Sequence, residues 1–245
     1  MKHILQTTAL YLPMLVAMTA MPATATAATE TLPNGAVFWF GDGAYQSQAN
    51  IPVGFYGSGA PTLLENFEDR SLDASLSVNK GNLIGIGIFG NGANSVDADD
   101  GAIDNSGLLG VSWTASFSGP PLRFTFIGNA LPTAFGLVIT AAGGGTTFRA
   151  LDSAGQLIAT RSFNLAVENT GVVAGDRFVG LQFPPGIRAI EVSFGGGFID
   201  VDHIQYGQMA PVPEPGSWAL MAGGLLGVVA WRGRRNGKAT SSTRS

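Results

Sequence analysis

The sequence contains no cysteine and few charged residues. Without Cys, the 245-residue chain forms no disulfide and offers no thiolate for catalysis or metal binding. Only 12% of the residues are charged, about half of the ~25% found in ordinary soluble domains. Glycine is abundant, with 35 residues, and 45% of the chain is hydrophobic. This composition argues against a coiled coil, which needs many charged residues, and against a disordered chain, which has few hydrophobic ones.

Basic residues are scarce in the central part of the chain. Between positions 29 and 211 there are 7 Lys and Arg residues against 16 Asp and Glu residues, which gives a formal charge of −9. A surface of that sign repels phosphate groups. We therefore expect no nucleic acid as a partner.

Histidine is almost absent as well. His3 lies near the N-terminus, so His203 is the one histidine of the central part. This count excludes a multi-histidine zinc or copper site. A Ser-His-Asp hydrolase would have to use His203, but the chain has no Gly-x-Ser-x-Gly motif for its nucleophile. We expect His203 to be a partly exposed strand residue.

The N-terminus has the pattern of a secretory signal peptide. Lys2 provides a positive start, residues 4–21 are largely apolar, and small residues at alternating positions follow. Cleavage after Ala25, Ala27 or Ala28 fits the preference of signal peptidase for small residues. We predict that residues up to position 28 form the signal peptide and that export follows the Sec pathway.

The C-terminus also carries a pattern directed to the membrane. Pro213, Glu214 and Pro215 precede an uncharged apolar segment at 217–231, and three arginines follow between positions 232 and 235. As a helix, this segment rises roughly 22 Å, so the arginines would have to reach the edge of a ~30 Å hydrocarbon core. The positive-inside rule puts the arginines in the cytoplasm and the body of the protein outside.

Together, the Pro-Glu-Pro motif, the apolar helix and the arginines resemble the PEP-CTERM sorting signal over residues 211–235. This signal is also called the ice-binding protein C-terminal domain, a name that implies no binding of ice. The resemblance implies that an exosortase, a transpeptidase-like membrane enzyme, recognises Pro213, Glu214 and Pro215. It further implies a Gram-negative cell that makes exopolysaccharide. The protein would be anchored transiently in the inner membrane and then reside at the cell surface or in the extracellular matrix.

The body has the pattern of β-strands throughout. Short runs rich in Val, Ile, Phe and Thr alternate with Gly, Pro, Asn and Asp, and no long segment has helical periodicity. We predict an all-β, jelly-roll-like β-sandwich at 59–207, preceded at 29–58 by an extension or edge strands. Residues 208–216 form a linker with the Pro-Glu-Pro motif. The transmembrane sorting helix and basic cluster follow at 217–235, and a disordered tail at 236–245.

Several local features of the body are predicted as well. Turn-forming residues at 152–155 indicate a tight hairpin. The glycine triplets at 143–145 and 195–197 suggest flexible hairpin ends. We expect Tyr45, in a Gly- and Asn-rich segment, to be exposed, and Trp113, within a strand, to lie in the core.

The densest acidic segment predicts a calcium site. Asp97, Asp99, Asp100 and Asp104 lie within eight residues and offer hard oxygen ligands. Their spacing does not match an EF-hand. Four carboxylates this close repel one another unless a cation or solvent screens them. A solvated Asp/Asn/Gly turn is the alternative interpretation.

Glu68 and Asp202 form an alternative calcium site. The sequence around these two residues resembles the first and last strands of jelly-roll carbohydrate-binding modules, whose paired terminal strands hold a structural calcium. The resemblance implies that Glu68 and Asp202 are ligands.

For function, we predict a non-enzymatic, secreted cell-surface or matrix protein associated with exopolysaccharide, with no catalytic residue and an unknown ligand site. A secreted glycoside hydrolase that uses two carboxylates is the first alternative. A structural surface protein without a small ligand is the second. Exposed aromatic residues beside a groove would favour polysaccharide binding, and two cleft carboxylates about 5–10 Å apart would favour hydrolysis.

Overall fold

The computed structural model describes residues 27–56, 62–85, 94–165 and 173–209. Within these ranges, eleven strands form one antiparallel sheet, and the helices are three short 3-10 turns. The all-β prediction is therefore confirmed. The strands are β1 (Ala27–Thr31), β2 (Val37–Gly41), β3 (Thr62–Glu65), β4 (Leu76–Val78), β5 (Asn82–Ile84), β6 (Ser112–Ser116), β7 (Leu122–Phe126), β8 (Ala134–Leu151), β9 (Leu157–Asn164), β10 (Arg177–Gln182) and β11 (Ala189–Gly207).

Two long strands, β8 and β11, form the spine of the sheet and pair along most of their length. At one end of the spine, β9 joins β8, while β7 joins β11 and carries β4. At the other end, β10 joins β8 and leads to β2 and β1, while β6 and β3 join β11 and β5 joins β6. The spine thus holds two groups of strands.

The two glycine triplets lie where one group of strands gives way to the other. Gly143 pairs with Gly196, and the register shifts on both sides of this pair. A Cβ atom on Gly143 would lie 2.2 Å from the Gly196 carbonyl oxygen. The prediction that the triplets are hairpin ends is wrong, because they lie inside the long strands β8 and β11. Glycine has no side chain, which allows the two backbones to approach closely there.

Residues from both groups of strands pack in one hydrophobic cluster, the main core. Its members are Ala36, Phe38, Phe67, Leu76, Val111, Ala115, Leu122, Phe124, Phe135, Leu137, Ile139, Ala142, Phe148, Ala150, Ile158, Ala159, Leu165, Val179, Leu181, Ile187, Ile190, Val192, Ile199, Val201, Ile204 and Tyr206. In β7, Leu122 and Phe124 are buried while Arg123 between them is exposed, as expected for a strand with one face on a core.

The predicted hairpin at 152–155 is confirmed. It connects β8 to β9, and the Gly155 N–H donates to the Asp152 carbonyl oxygen at 3.0 Å. The Asp152 carboxylate accepts from the N–H groups of Ala154 and Gln156 at 2.9 and 2.8 Å. Local side-chain bonds of this kind explain why the sequence signal was sufficient.

The first described residues already belong to the sheet. β1 pairs with β2, which pairs with β10. Cleavage after Ala25 would keep all described residues of β1, Ala27–Thr31, whereas cleavage after Ala27 or Ala28 would remove the first of them. The rest of the predicted signal peptide lies outside the described residues, as does the predicted sorting helix. Among the described residues, no helix is long and apolar enough to cross a membrane.

Candidate metal centre

A β-bulge in β11 brings two neighbouring polar side chains to the same face. Val201, Ile204 and Tyr206 pack in the main core. In a regular strand every second residue faces the same side, so the three-residue step from Val201 to Ile204 contains one extra residue. His203 is that extra residue, with a left-handed φ of 43° and a register shift against β8. Asp202, His203 and Gln205 are therefore buried away from the main core. Bulges commonly re-aim side chains in this way.

Two connecting segments, 42–56 and 94–110, lie over this outer face and are called the cover. Between cover and sheet lies a second hydrophobic cluster, formed by Tyr45, Phe55, Val96, Ala134, Val138 and Phe178. The Ala98 N–H donates to the Gln46 carbonyl oxygen at 3.0 Å, which joins the two segments. Within the cover, Asp97–Asp100 form a 3-10 helix. This helix delivers Asp99 to the polar residues of β11.

His203 lies at the centre of the polar cluster. Its Nε2 atom is 2.8 Å from Asp99 Oδ1, and its Nδ1 atom is 3.2 Å from the Tyr45 hydroxyl. Gln205 Nε2 donates to the same hydroxyl at 2.6 Å. Only 3% of the His203 side chain and 6% of the Asp99 side chain are exposed. The imidazole is thus held at both nitrogens and shielded from solvent.

Asp202 is the most deeply buried member of the cluster. Its carboxylate accepts from the N–H groups of Val96 and His203 at 2.8 and 2.7 Å. Burial raises the pKa of Asp202 well above its usual range, and the charge and direct contact of the Asp99 carboxylate raise it further. Among the described residues, the second oxygen of Asp99, Oδ2, is buried without a hydrogen-bond partner. Two carboxyl groups therefore meet in a site with little water.

Asp99, Asp202 and His203 each offer one ligand atom, and these three atoms lie within 4.8 Å of one another. Two carboxylate oxygens and one imidazole nitrogen are a donor set that a divalent ion accepts. The three residues come from two segments that are far apart in sequence. A cation at this position would connect the cover to β11.

Comparison with known families concerns the C-terminal segment, which lies outside the described residues. Residues 211–235 match the family model of the PEP-CTERM protein-sorting motif. The chain therefore carries a PEP-CTERM protein-sorting motif. A motif of this kind indicates a secreted protein that an exosortase sorts. No curated relative matches the sequence.

Several solved structures resemble parts of this chain. A bacteriophage CBA120 tailspike protein 4 domain is 19% identical, with a TM-score of 0.31, over 58% of this chain and 20% of that one. The catalytic domain of a GH87 α-1,3-glucanase is 17% identical, with a TM-score of 0.36, over 65% of this chain and 31% of that one. The family 32 carbohydrate-binding module of C. perfringens NanJ is 13% identical, with a TM-score of 0.27, over 54% of this chain and 91% of that one.

The chain thus spans about a fifth of the tailspike domain and about a third of the glucanase domain. Each of the three TM-scores is below 0.5. The likenesses therefore assign neither a ligand nor an activity to this chain.

The four aspartates of the predicted calcium loop point in different directions. Asp97 is buried and accepts from the N–H groups of three residues of its own loop, 104–106, at 3.0–3.2 Å. Asp100 accepts from the Ala102 N–H at 2.9 Å, and the exposed Asp104 accepts from the Ser106 N–H at 3.0 Å. Asp99 alone reaches the polar residues of β11. Calcium binding by these four residues stays a prediction.

Of the alternative calcium pair, Asp202 belongs to this centre and Glu68 lies near it. Glu68 Oε1 accepts from the Val111 N–H at 2.5 Å. Burial raises the pKa of Glu68, this hydrogen bond lowers it, and the Asp99 charge raises it again. Glu68 is therefore close enough to Asp99 to sense its charge. The structure brings together Asp99 from the predicted loop site and Asp202 from the alternative site, with His203 as a third member.

Two expectations about this region are wrong. Tyr45 is 1% exposed and His203 is 2% exposed, although both were expected to reach solvent. Gln205, also buried, was not singled out at all. None of the three stands in a local pattern that signals burial, because the cover that buries them belongs to other parts of the chain. Trp113 is half-buried and packs against the main core, as expected.

Proposed function

We propose that this protein is a non-enzymatic component of the cell surface or extracellular matrix, where its jelly-roll-like β-sandwich associates with exopolysaccharide. One observation carries the surface role. β11 is a central strand that ends at Gly207, and the sorting motif begins at residue 211. All strands of the described residues thus precede the sorting segment. Removal or exchange of that segment by an exosortase would leave a finished domain outside the cell.

The arrangement of carboxylates supports a role other than hydrolysis. Glycoside hydrolases place two carboxyl groups on either side of an open substrate site, roughly 5–9.5 Å apart. Asp99 and Asp202 are buried under the cover, and each has a carboxylate oxygen within 4.8 Å of the other. A sugar ring has no access between them.

Exposed aromatic rings support the association with polysaccharide. Phe117 and Phe198 are 59% and 60% exposed. They lie side by side where β6 ends against the middle of β11: the Phe117 N–H donates to the Gly197 carbonyl oxygen at 3.1 Å, and Phe198 pairs with Ser116. Aromatic faces provide apolar contact area for the CH groups of sugars. Because the body is acidic, we propose a neutral rather than an acidic polysaccharide.

Sedimentation with purified exopolysaccharide from the producing cell tests this function. We expect the wild type to co-sediment, and Phe198→Ala and Phe117→Ala to reduce the bound fraction severalfold. Ile103→Ala is the matched control, because Ile103 is exposed to 61% but has no ring. Release of new reducing ends by the wild type would show a hydrolase instead. Failure of the wild type to bind would favour a structural protein without a small ligand.

A further inference from the structure

We propose that Asp99, Asp202 and His203 bind one divalent transition-metal ion of the zinc type. The ion would join the cover to β11 and lock the outer face of the sheet. This site differs from both predicted calcium sites, since it takes a single aspartate from the acidic loop and adds an imidazole. It is also independent of the proposed association with polysaccharide.

The distances fit a small ion. Zinc binds carboxylate oxygen and imidazole nitrogen at ~2.0–2.2 Å in tetrahedral geometry, so two of its ligand atoms lie roughly 3.3–3.6 Å apart. His203 Nε2 and Asp99 Oδ1 are already 2.8 Å apart, and all three ligand atoms lie within 4.8 Å. The His203–Asp99 pair would open by roughly half an ångström, and the widest pair would close by up to about 1.5 Å, a change that side-chain rotation can supply. Side chains on a 3-10 helix and a bulge make such shifts without disturbing the strand pairs.

The donor set selects the class of ion. Calcium takes six to eight oxygen ligands, and an imidazole nitrogen contributes none of them. Zinc and similar ions accept imidazole and carboxylate together. Asp99 Oδ2 supplies the second observation, because it is buried, lacks a hydrogen-bond partner among the described residues and belongs to a side chain that is 94% shielded. A cation beside it would compensate a buried oxygen that is otherwise costly.

The hydrogen bonds around His203 allow its Nε2 atom to become a ligand. With Gln205 Nε2 donating to Tyr45, the Tyr45 hydroxyl donates to His203 Nδ1, and His203 Nε2 donates to Asp99. When an ion takes the place of the Nε2 proton, His203 carries its proton on Nδ1 and donates to the Tyr45 oxygen. Rotation of the Gln205 amide then lets Tyr45 donate to Gln205 Oε1.

The state of Gln205 favours this second arrangement. Its Oε1 atom is buried and has no hydrogen-bond partner among the described residues. Rotation of the Gln205 amide would give this oxygen the Tyr45 hydroxyl as a donor. Hydrogen bonds of this kind commonly orient the histidines that bind metals. Tyr45 and Gln205 are thus positioning residues of the proposed site, and they do not touch the ion.

Zinc titration of the full-length chain, purified in detergent and freed of metal with EDTA, tests the proposal. We expect one equivalent of zinc to bind, measured by elemental analysis, and the melting temperature to rise. Asp99→Asn and His203→Asn should abolish both effects; Asn is chosen at position 203 because it tolerates the left-handed φ there. Asp100→Asn is the matched control, since Asp100 lies on the same 3-10 helix but bonds only within its own turn.

Tyr45→Phe provides a variant that keeps all three ligands. We expect it to weaken zinc binding by about 10–100-fold, the usual effect of losing a hydrogen bond that orients a histidine ligand. Circular dichroism in EDTA checks that each variant is folded before metal is added. Absence of bound zinc in the wild type, or equal binding by the wild type and the folded Asp99→Asn, would overturn the proposal. Stabilisation by calcium but not by zinc would also overturn it.

Discussion

Asp176 is a buried carboxyl group without a compensating partner. The residue is 1% exposed, and neither carboxyl oxygen has a hydrogen-bond partner among the described residues. Burial raises the pKa of Asp176 to about 9, although the positive charge of Arg177 lowers it, and the Asp97 charge adds a smaller increase. The side chain is therefore protonated at neutral pH. In the unfolded chain it would ionise near its ordinary value of 3.8.

This difference makes the stability of the protein depend on pH. The contribution of Asp176 is complete below about pH 4 and is lost as the pH rises toward about 9, because the unfolded state releases the proton first. Asp176→Asn removes the titration. We expect the variant to become more stable than the wild type above pH 4, by up to about 1.4 kcal/mol per pH unit. Urea unfolding at pH 4, 6 and 8 measures the gain.

Asp42→Asn serves as the control, since it makes the same chemical change at an exposed position. The pH dependence of the gain from Asp176→Asn is measured against this variant. A constant difference for Asp176→Asn would show that Asp176 is ionised in the folded protein.

At the scale of elements, the pairing of β8 with β11 depends on the glycines inside both strands. The two strands change register next to the Gly143–Gly196 pair. Their backbones approach so closely there that no side chain fits on Gly143. Gly145, two residues further along β8, has open space at the position of its Cβ atom. The two positions therefore differ in packing, although they belong to the same triplet.

Gly143→Ala should destabilise the protein by roughly 1–3 kcal/mol, because the new methyl group forces the two strands apart. For a domain of this size, each kcal/mol corresponds to about 2–4 °C in melting temperature. Gly145→Ala is the matched control and should leave the melting temperature unchanged or raise it slightly, since alanine restricts the unfolded chain. Differential scanning calorimetry of both variants measures the effect. Equal melting temperatures would show that the strands absorb the methyl group.

At the scale of the whole molecule, the folded body and the sorting segment are separate along the chain. The last pairs of β11 are those of residues 204–207 with β3 and β8, and the matched motif starts after them. The main core includes Ile204 and Tyr206 but draws on nothing beyond β11 among the described residues. The stability of the body should therefore not depend on the sorting segment.

Glu214→Ala tests this separation in a host that carries an exosortase. We expect mass spectrometry of the mature wild type to show loss of the C-terminal helix, while the variant retains it, because Glu214 is the charged residue of the motif. Both proteins should melt at the same temperature. Gln208→Ala, outside the motif, should be processed like the wild type. An intact C-terminus in the wild type would show that the segment is a plain anchor.

Patterns confined to a few neighbouring residues were sufficient to predict part of this structure. The alternation of Leu122, Arg123 and Phe124 determined which face of β7 is buried, and Asp152 determined its hairpin through bonds to its own loop. The all-β class followed from such strands and turns. The PEP-CTERM motif could likewise be recognised in the sequence, since its residues are contiguous. In each case, the determining interactions or the recognition signal lie within a short stretch of chain.

Only the tertiary structure decided the candidate metal centre. Asp99 and His203 are separated by 104 positions, and no periodicity relates residues at that distance. They meet because a bulge turns His203 toward the outer face and because the cover packs over that face. The bulge arises from the register of β11 against β8, which depends on the partner strand. The burial of Tyr45 has the same origin, since it is produced by contacts between distant segments.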